Sequence, residues 1–571
     1  MINGSAHNTS CQSSAYTIKV NGEELSGEIP AYGIEVNIEF NRIPSAKIIF
    51  IDGDPSRQEF GISNDERFVP GKEIEIFLGD LSEQISVFKG IVLNQAISVR
   101  QGSSRLEVDC RHPAYRMTLR KNSRYFTEMS DSDVAEQLLD NFNLQHAVAS
   151  VAYQHPELVQ YNVTDWDFLL MRMELNGFLL LADTEEINVA APDFGQEPIL
   201  NISFGSNVIE FDAILEARNQ MAEVITSTWD YREQEMREVT AEEPDIELSG
   251  SLSDQQISEI NGDDPIIHRH GGDLDQEELQ AWADARLLKD RLSRNRGRVR
   301  FHGDQAVKPG QLLELQGFGE HYNGTVMASG VRHEFYNGIW MHDVEFGLSP
   351  EWFAETIQPN NASAGGLVAG VKGLQIGVVT KIFEEEVSEF RIKVRLPVIS
   401  ADEQGTWARL GSFYAGSERG SFFLPELDDE VIVGFINEDL RDAVILGALH
   451  SRNKETPFTA SDDNFEKGIV SKEGLKIIFH EEEKSIKLET PGGNKLTISD
   501  DAKGLKLEDQ NGNSIELNDN GIEIKSNSKI KLDASQDLEE SCQNWKCNAQ
   551  AQAELKTNGI AKIQGSVVNI N

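Results

Sequence analysis

The stretch "KLTISDDAKGLKLEDQNGNSIELNDNGIEIKSNSKIKLDAS", residues 495–535, repeats one small unit: two aliphatic side chains around one polar residue, then a polar turn of Gly, Asn or Asp. The aliphatic pairs are Ile486/Leu488, Leu496/Ile498, Leu505/Leu507, Ile515/Leu517, Ile522/Ile524 and Ile530/Leu532, recurring every seven to ten residues. Between them stand Lys487, Thr497, Lys506, Glu516, Glu523 and Lys531. Side chains alternate across a strand, so each unit reads as a short strand with one apolar and one charged face. One strand per unit is too little for a solenoid wound from a single chain, which needs about 20 or more residues per coil. If several identical chains wind together, each giving one strand per layer, every pair turns inward, and three chains are the fewest that close a prism. The pattern therefore predicts a C-terminal intertwined triple-stranded β-helix needle over 471–571. The competing arrangement is an ordinary meander of hairpins packed on a neighbouring domain.

The 571 residues are enough for several domains of about 100–200 residues each. Against 52 basic side chains stand 95 acidic ones, a formal charge of −43, which argues against a nucleic-acid partner and against anionic membranes. The longest apolar runs, "GFLLLA" and "VIVGFI", are strand-sized and far below the roughly 20 residues of a membrane helix. "MINGSAHNTSCQSSAY" has neither a basic nor an apolar signal region, so the expectation is synthesis in the cytoplasm without a signal peptide. Cys11, Cys110, Cys542 and Cys547 are too scattered for a disulfide framework and are expected as free thiols.

After an N-terminal tail (1–14), residues 15–358 read as mainly β with a few helices. Period-two runs such as "YTIKVNG", "GIEVNIEF" and "RLEVDC" alternate with Gly, Asn, Asp and Pro turns. "SDSDVAEQLLDNF" predicts a helix with Val134, Ala135, Leu138, Leu139 and Phe142 on one face; "TDWDFLLMRMELNG" predicts a second, capped at Thr164 or Asp165 and stopped by Gly177. A third falls near "QEELQAWADARLLKDRLSR", and the acidic residues 231–275 read as an inserted or flexible stretch. "QPNNASAGGLVAGVKG" is a linker, placed at 359–371. About six strands over 372–452, from "LQIGVVTKI" through "GSFFLPEL" to "DAVILGAL", suit a small closed barrel of the OB type. Its Glu384, Glu385, Glu386, Asp428, Asp429 and Glu430 make a nucleic-acid face improbable, and 453–470 connect it to the needle.

Three stretches carry a family resemblance. "QYNVTDWDFLLMRMELNGFLL" (160–180) resembles the hub signature of VgrG-type spike proteins of contractile injection systems, and "KPGQLLELQGFGEHYNGTVMASGVRHEF" (308–335) resembles a later strand set of that hub. "WARLGSFYAGSERGSFFLPELDDEVIVGFINEDLRDAVILGAL" (407–449) is similar to the family's barrel, with Asp428-Asp429 where members typically read Gly-Gln. The resemblance implies a homotrimer of phage-tail-type hub, OB barrel and β-helix needle. Its implied partners are an inner-tube (Hcp-like) ring, baseplate proteins, a PAAR-type tip protein and possible effector cargo. The particle would then be delivered outside the cell or into a target on firing. Ile563, Val567, Val568 and Ile570 are the expected tip-docking residues.

Catalytic chemistry is not expected, and neither is a cofactor. About 25 residues separate barrel from needle, too few for a lysozyme-like domain. His333-Glu334 and His480-Glu481 begin like a zinc-protease motif but have Asn337 and Lys484 where the second His belongs. His268 and His270 lack a third ligand, Cys542 and Cys547 lack a second pair, and "DQNGNSIE" (509–516) mimics a calcium loop with its Gly at 512, out of place. The rival functions are a tail-associated glycan-binding fibre and a cell-wall hydrolase. A fibre usually ends in a globular head, whereas here the β pattern runs on to Asn571.

Overall fold

The computed structural model describes residues 14–570 except 26, 102, 247, 304–306, 357–361 and 384–389. The tail to residue 13 with Cys11, the acidic Glu384–Glu386, Asn571 and part of the expected linker therefore lie outside the described residues. The chain divides into two compact units, Met1–Gly366 and Leu367–Asn571.

The first unit is organised by a 13-stranded sheet. Its two halves join where Ala31–Glu39 pairs antiparallel with Gly324–Tyr336, residues 33–39 against 330–336. One half packs a core around Ile34, Ile48, Phe50, Ile76 and Val108, the other around Val299, Leu313, Val331, Val344 and Phe346. A third core is built on two helices whose caps the sequence specifies. Asp131–Asp140 starts on a capping box: the Asp133 amide donates to Ser130 Oγ (3.1 Å) and the Ser130 amide to Asp133 Oδ2 (2.8 Å). Asp165–Leu175 starts where Thr164 Oγ1 accepts from the Asp167 amide (3.1 Å), and it stops at Gly177, whose φ of 68° suits a residue without Cβ. Val134, Leu138 and Leu139 of the first helix meet Trp166, Leu169 and Met173 of the second in this core.

Residues 231–275 correct an expectation. Among the described residues they are not a loose stretch: Glu235–Thr240 and Ile266–His270 flank Val224–Asp230 in a three-stranded sheet, which packs on the helix Gln276–Leu292. The acidic character misled because two of its basic partners, Arg291 and Arg294, are distant in sequence. Arg237 pairs with Asp230, Arg291 Nε with Glu243 (2.6 Å) and Arg294 with Asp254.

The second unit opens with a closed barrel of five strands, Gln375–Lys381, Arg391–Arg395, Thr406–Leu410, Glu430–Phe435 and Ala443–Ala448, around Val379, Ile392, Val394, Val431, Val433 and Ile445. "GSFFLPEL", read from sequence as a sixth strand, lies instead in the 411–429 connection, which carries only the two-residue pairing of Ala415–Gly416 with Arg419–Gly420. Its aromatics are exposed, so it has no core side to define a barrel strand.

Seven five-residue strands follow: Glu466–Val470, Lys476–His480, Ser485–Glu489, Lys495–Ser499, Gly504–Glu508, Ser514–Asn518 and Gly521–Lys525. Each pairs antiparallel with the next. The sheet starts inside the stretch assigned from sequence to the connector, and Ile530 and Leu532 lie beyond its last strand. Over 466–525, then, neighbouring strands belong to one chain rather than to three. Connections of two to five residues, 471–475 through 519–520, are hairpin loops, which close a pair locally.

One titration in the first unit gives a test of its stability. His112 is buried, and its Nδ1 accepts from the Ala114 amide (3.2 Å) at the start of the 3-10 turn Pro113–Thr118. Burial lowers its pKa to about 4 from an ordinary value near 6.5. Between these values the unfolded chain binds a proton that the folded chain does not, so stability is complete above about 6.5 and falls as pH drops toward 4. His112→Asn keeps a capping acceptor without the titration. The expected outcome is a melting temperature that falls less from pH 7 to pH 4.5 in the variant than in the wild type, measured by calorimetry.

Candidate functional site

Alternation in the seven-strand sheet brings the aliphatic pairs onto one face as two continuous ladders. One runs Ile477–Leu488–Leu496–Leu507–Ile515–Ile524, the other Phe479–Ile486–Ile498–Leu505–Leu517–Ile522, each residue directly opposite the next across the ladder. Every needle-core residue expected from 486 to 524 therefore falls on this face. In one chain the face is open: Ile486, Ile498 and Leu505 are 41, 40 and 43% exposed, whereas the barrel's inward residues are at most 4% exposed. The meander is thus not packed on the barrel over most of its length. A strand pair alone does not stabilise itself in water, and each such side chain gains about 1.5–3 kcal/mol on full burial.

The opposite face is built for solvent. Its middle column runs Lys487–Thr497–Lys506–Glu516–Glu523, and an edge column alternates Lys476–Glu489–Lys495–Glu508. Lys506 Nζ lies 2.8 Å from Glu508 and Lys487 Nζ 2.8 Å from Glu483. The turns on one edge are tied to each other by asparagines: Asn494 Oδ1 accepts from the Gln510 amide (3.2 Å), and Asn513 Oδ1 from the Asn527 amide (3.0 Å). The calcium-like "DQNGNSIE" is one of these turns. Asp509 accepts from the amides of Asn511 (2.9 Å) and Asn513 (2.8 Å) and from Asn513 Nδ2 (2.7 Å), and the Asn513 side chain first among these bonds lowers its pKa.

Residues 526–570 form no strand with one another, and their apolar side chains are exposed, including Ile530, Leu532 and the expected tip residues Ile563, Val567, Val568 and Ile570. Backbone whose amides and carbonyls lack strand partners, with aliphatics at short intervals, is the composition of a segment that pairs with other chains.

The first unit holds a different kind of cluster, in the 160–180 stretch. Arg172 Nε and Nη2 donate to both oxygens of Asp131 (2.7 and 3.0 Å), and Nη2 also to Glu278 Oε1 (2.9 Å). His155 Nε2 lies 3.3 Å from Asp131, and Asn176 Nδ2 donates to Asp131 Oδ2 (2.9 Å). Burial pushes the Asp131 carboxyl up, but the His155 hydrogen bond and the Arg172 charge outweigh it and hold it well below the usual carboxylate range. These bonds occupy both carboxylate oxygens and join three helices, which is a fastening role. The cluster is not legible in the 160–180 stretch itself, because Asp131, His155 and Glu278 all lie outside it, Asp131 and Glu278 far along the chain.

The histidine motifs are separated by the fold. His333 is buried and packs edge-on against His342, with ring centroids 4.9 Å apart, while Asn337 sits in the hairpin turn beyond. His480 ends a needle strand, and the His268 ring lies tilted beside Trp282, centroids 5.8 Å apart. Among the described residues no group of three or more His, Cys, Asp or Glu is placed to hold a metal ion. Cys110 is buried; Cys542 and Cys547 are exposed and free.

Residues 10–337 match the family model described as the Alg8 N-terminal domain, 375–450 the Type VI secretion system/phage-baseplate injector OB domain, and 485–536 the phage baseplate V C-terminal trimerisation domain. The type VI secretion system spike protein VgrG1a of Pseudomonas aeruginosa is 20% identical over 400 residues, 64% of this chain and 60% of that protein. The actin cross-linking toxin VgrG1 of Vibrio cholerae is 30% identical over 130 residues, 22% of this chain and 11% of that protein. The chain thus spans less than two thirds of the length of either relative. Among solved structures, a tail protein from Neisseria meningitidis aligns with a TM-score of 0.45 at 14% identity, over 60% of this chain and 99% of its own. A lidless PdpA–VgrG complex aligns at 0.40 and 12%, over 90% and 98%.

Proposed function

We propose that this chain, which belongs to the family described by the Alg8 N-terminal domain over residues 10–337, works as the homotrimeric central spike of a contractile injection system, a spike of the VgrG type. The observation that carries the reading is the open double ladder of aliphatics over 477–524, overlapping the stretch matched by a trimerisation domain. Three such sheets, aliphatic faces inward, close a prism with the Lys/Glu columns outside. Strand spacing of about 4.8 Å makes seven strands roughly 30 Å tall, with the hydrogen bonds running along the stack. A thrust along that axis is then shared by every layer of three closed sheets. Residues 526–570 continue it as the interwound β-helix, where partner chains supply the hydrogen bonds that one chain lacks.

In this role the first unit meets the inner-tube ring and the baseplate, and the spike pierces the target envelope when the sheath contracts. It is made in the cytoplasm and leaves only with the particle, together with any cargo. Its part is structural, since the ion cluster around Arg172 is a fastening. Electron microscopy of particles from cells lacking this chain tests the role: no central spike and no complete baseplate are expected. Particles with an unchanged spike would overturn it.

The exposed Ile563, Val567, Val568 and Ile570 are the docking surface for a small tip protein. Deleting residues 560–571 is expected to abolish co-purification of that tip while leaving the oligomer intact, because the sheet over 466–525 is untouched. Retention of the tip by the truncated spike contradicts this assignment.

A further inference from the structure

The 411–429 connection of the barrel is unusual for a surface loop. Within it Phe413, Tyr414, Phe422, Phe423, Leu424 and Leu427 are all exposed, Phe413 by 90% and Phe422 by 74%. Single exposed hydrophobics are ordinary, but six in one loop mark a contact surface. The loop is also firmly built. Ser412 and Ser421 hydroxyls bond at 2.6 Å, the Ser421 amide donates to the Tyr414 carbonyl (2.9 Å), and Ala415–Gly416 pairs with Arg419–Gly420. Gly420 has a φ of 141°, and a Cβ there would lie 2.6 Å from the Tyr414 carbonyl oxygen, so the hairpin depends on glycine at that position.

The loop also continues the needle's apolar face. Phe423 lines one groove with Ile469, Leu475, Ile477, Leu488 and Leu496, the barrel-side end of the aliphatic ladders. Lys472 Nζ to Glu426 (3.0 Å) pins the loop's descending arm to the turn between the first two needle strands, and Lys454 Nζ to Asp429 (3.5 Å) ties it to the connection that precedes them. A single chain leaves this groove open, and Ile469 and Leu475 remain about half exposed.

We propose that the aromatic hairpin is an interchain clasp: Phe413 and Phe422 of one chain seat against the first needle strands, 466–480, of a second copy of this chain. A second copy is the occupant because the groove runs without a break into the face matched by the trimerisation domain. Closing that face with other copies brings their first strands against the hairpin. The clasp rests on the trimer reading and extends the interface beyond the 485–536 match, into the barrel. It gives the open end of the prism an aromatic plug.

The test uses the full chain with the photo-crosslinking residue p-benzoylphenylalanine at position 422, in oligomers mixed from isotope-labelled and unlabelled chains. Adducts joining labelled to unlabelled chains within residues 466–480 are expected. A trimer that yields only intrachain adducts, or none, overturns the clasp while leaving the trimer standing. A wild-type protein that is itself monomeric overturns the trimer reading and the clasp with it. As a second measurement, the double variant Phe413→Ser, Phe422→Ser is expected to dissociate in guanidinium at least about tenfold faster than wild type, as for loss of interface anchors. Both residues are exposed in one chain, so the barrel should fold, and an unchanged dissociation rate counts against the clasp.

Discussion

Leu505→Asp is expected to abolish the oligomer. Leu505 sits mid-sheet, directly opposite Ile498 on one side and Leu517 on the other, in a ladder whose every position is aliphatic or aromatic. In the closed prism the substitution places three carboxylates at one level of an apolar interior. With several kcal/mol for each uncompensated buried charge, the loss per trimer is on the order of 10 kcal/mol or more. In an isolated sheet the same side chain stays partly in water, and the change costs little. Sedimentation velocity therefore separates the two cases. The expected pattern is monomer or aggregate for Leu505→Asp and wild-type behaviour for Lys506→Thr, whose side chain lies on the opposite face beside Glu508. A Leu505→Asp protein that sediments like wild type contradicts the inward-facing ladder.

Arg172→Met carries the second-largest expected effect, in the first unit. The guanidinium is the cation between Asp131 and Glu278, and it is buried with both. Removing one partner of a buried pair costs about 3–5 kcal/mol, because the carboxylates left behind are neither hydrated nor paired. Their helices, Asp131–Asp140 and Gln276–Leu292, lose the link through Asp165–Leu175. At about 2 °C per kcal/mol for a unit this large, the first thermal transition should fall by roughly 6–10 °C. Adding Asp131→Asn to Arg172→Met removes one orphaned charge and should restore part of the loss. An Arg172→Met melting curve that overlays the wild type would show that the cluster is not a fastening.

What the sequence discloses about this molecule follows the range of its interactions. Ser130 with Asp133 and Thr164 with Asp167 are three residues apart, and both helix starts are readable from those positions alone. The aliphatic pairs from 486 to 524 declare an apolar face for the same reason, since period two is local. Pairing partners are another matter. A two-aliphatic unit fits a strand whose neighbour is in the same chain or in another, and the deciding information lies in the turns. "NDNG" at 518–521 and positive φ at Lys484 and Lys503 mark tight hairpins, which bring each strand back onto its predecessor. Loop length between the pairs was thus the overlooked signal for the meander.

The acidic stretch 231–275 shows the opposite limit. Its ordering depends on Arg291 and Arg294, tens of residues downstream, and composition carries no record of such partners. The same holds for the ion cluster, where residues 131, 155, 172 and 278 converge only in the fold. The barrel loop misled for a third reason: "GSFFLPEL" has the apolar content of a strand, and only the exposure of its side chains reveals that they face away from the barrel core.

The absolute mass of the purified full-length chain, by light scattering coupled to size exclusion, tests the trimeric spike most directly. A particle near three times 63.7 kDa that persists in mild detergent is the expected result. A stable, folded species of 63.7 kDa would contradict it, because the aliphatic ladders would then have to be covered within one chain.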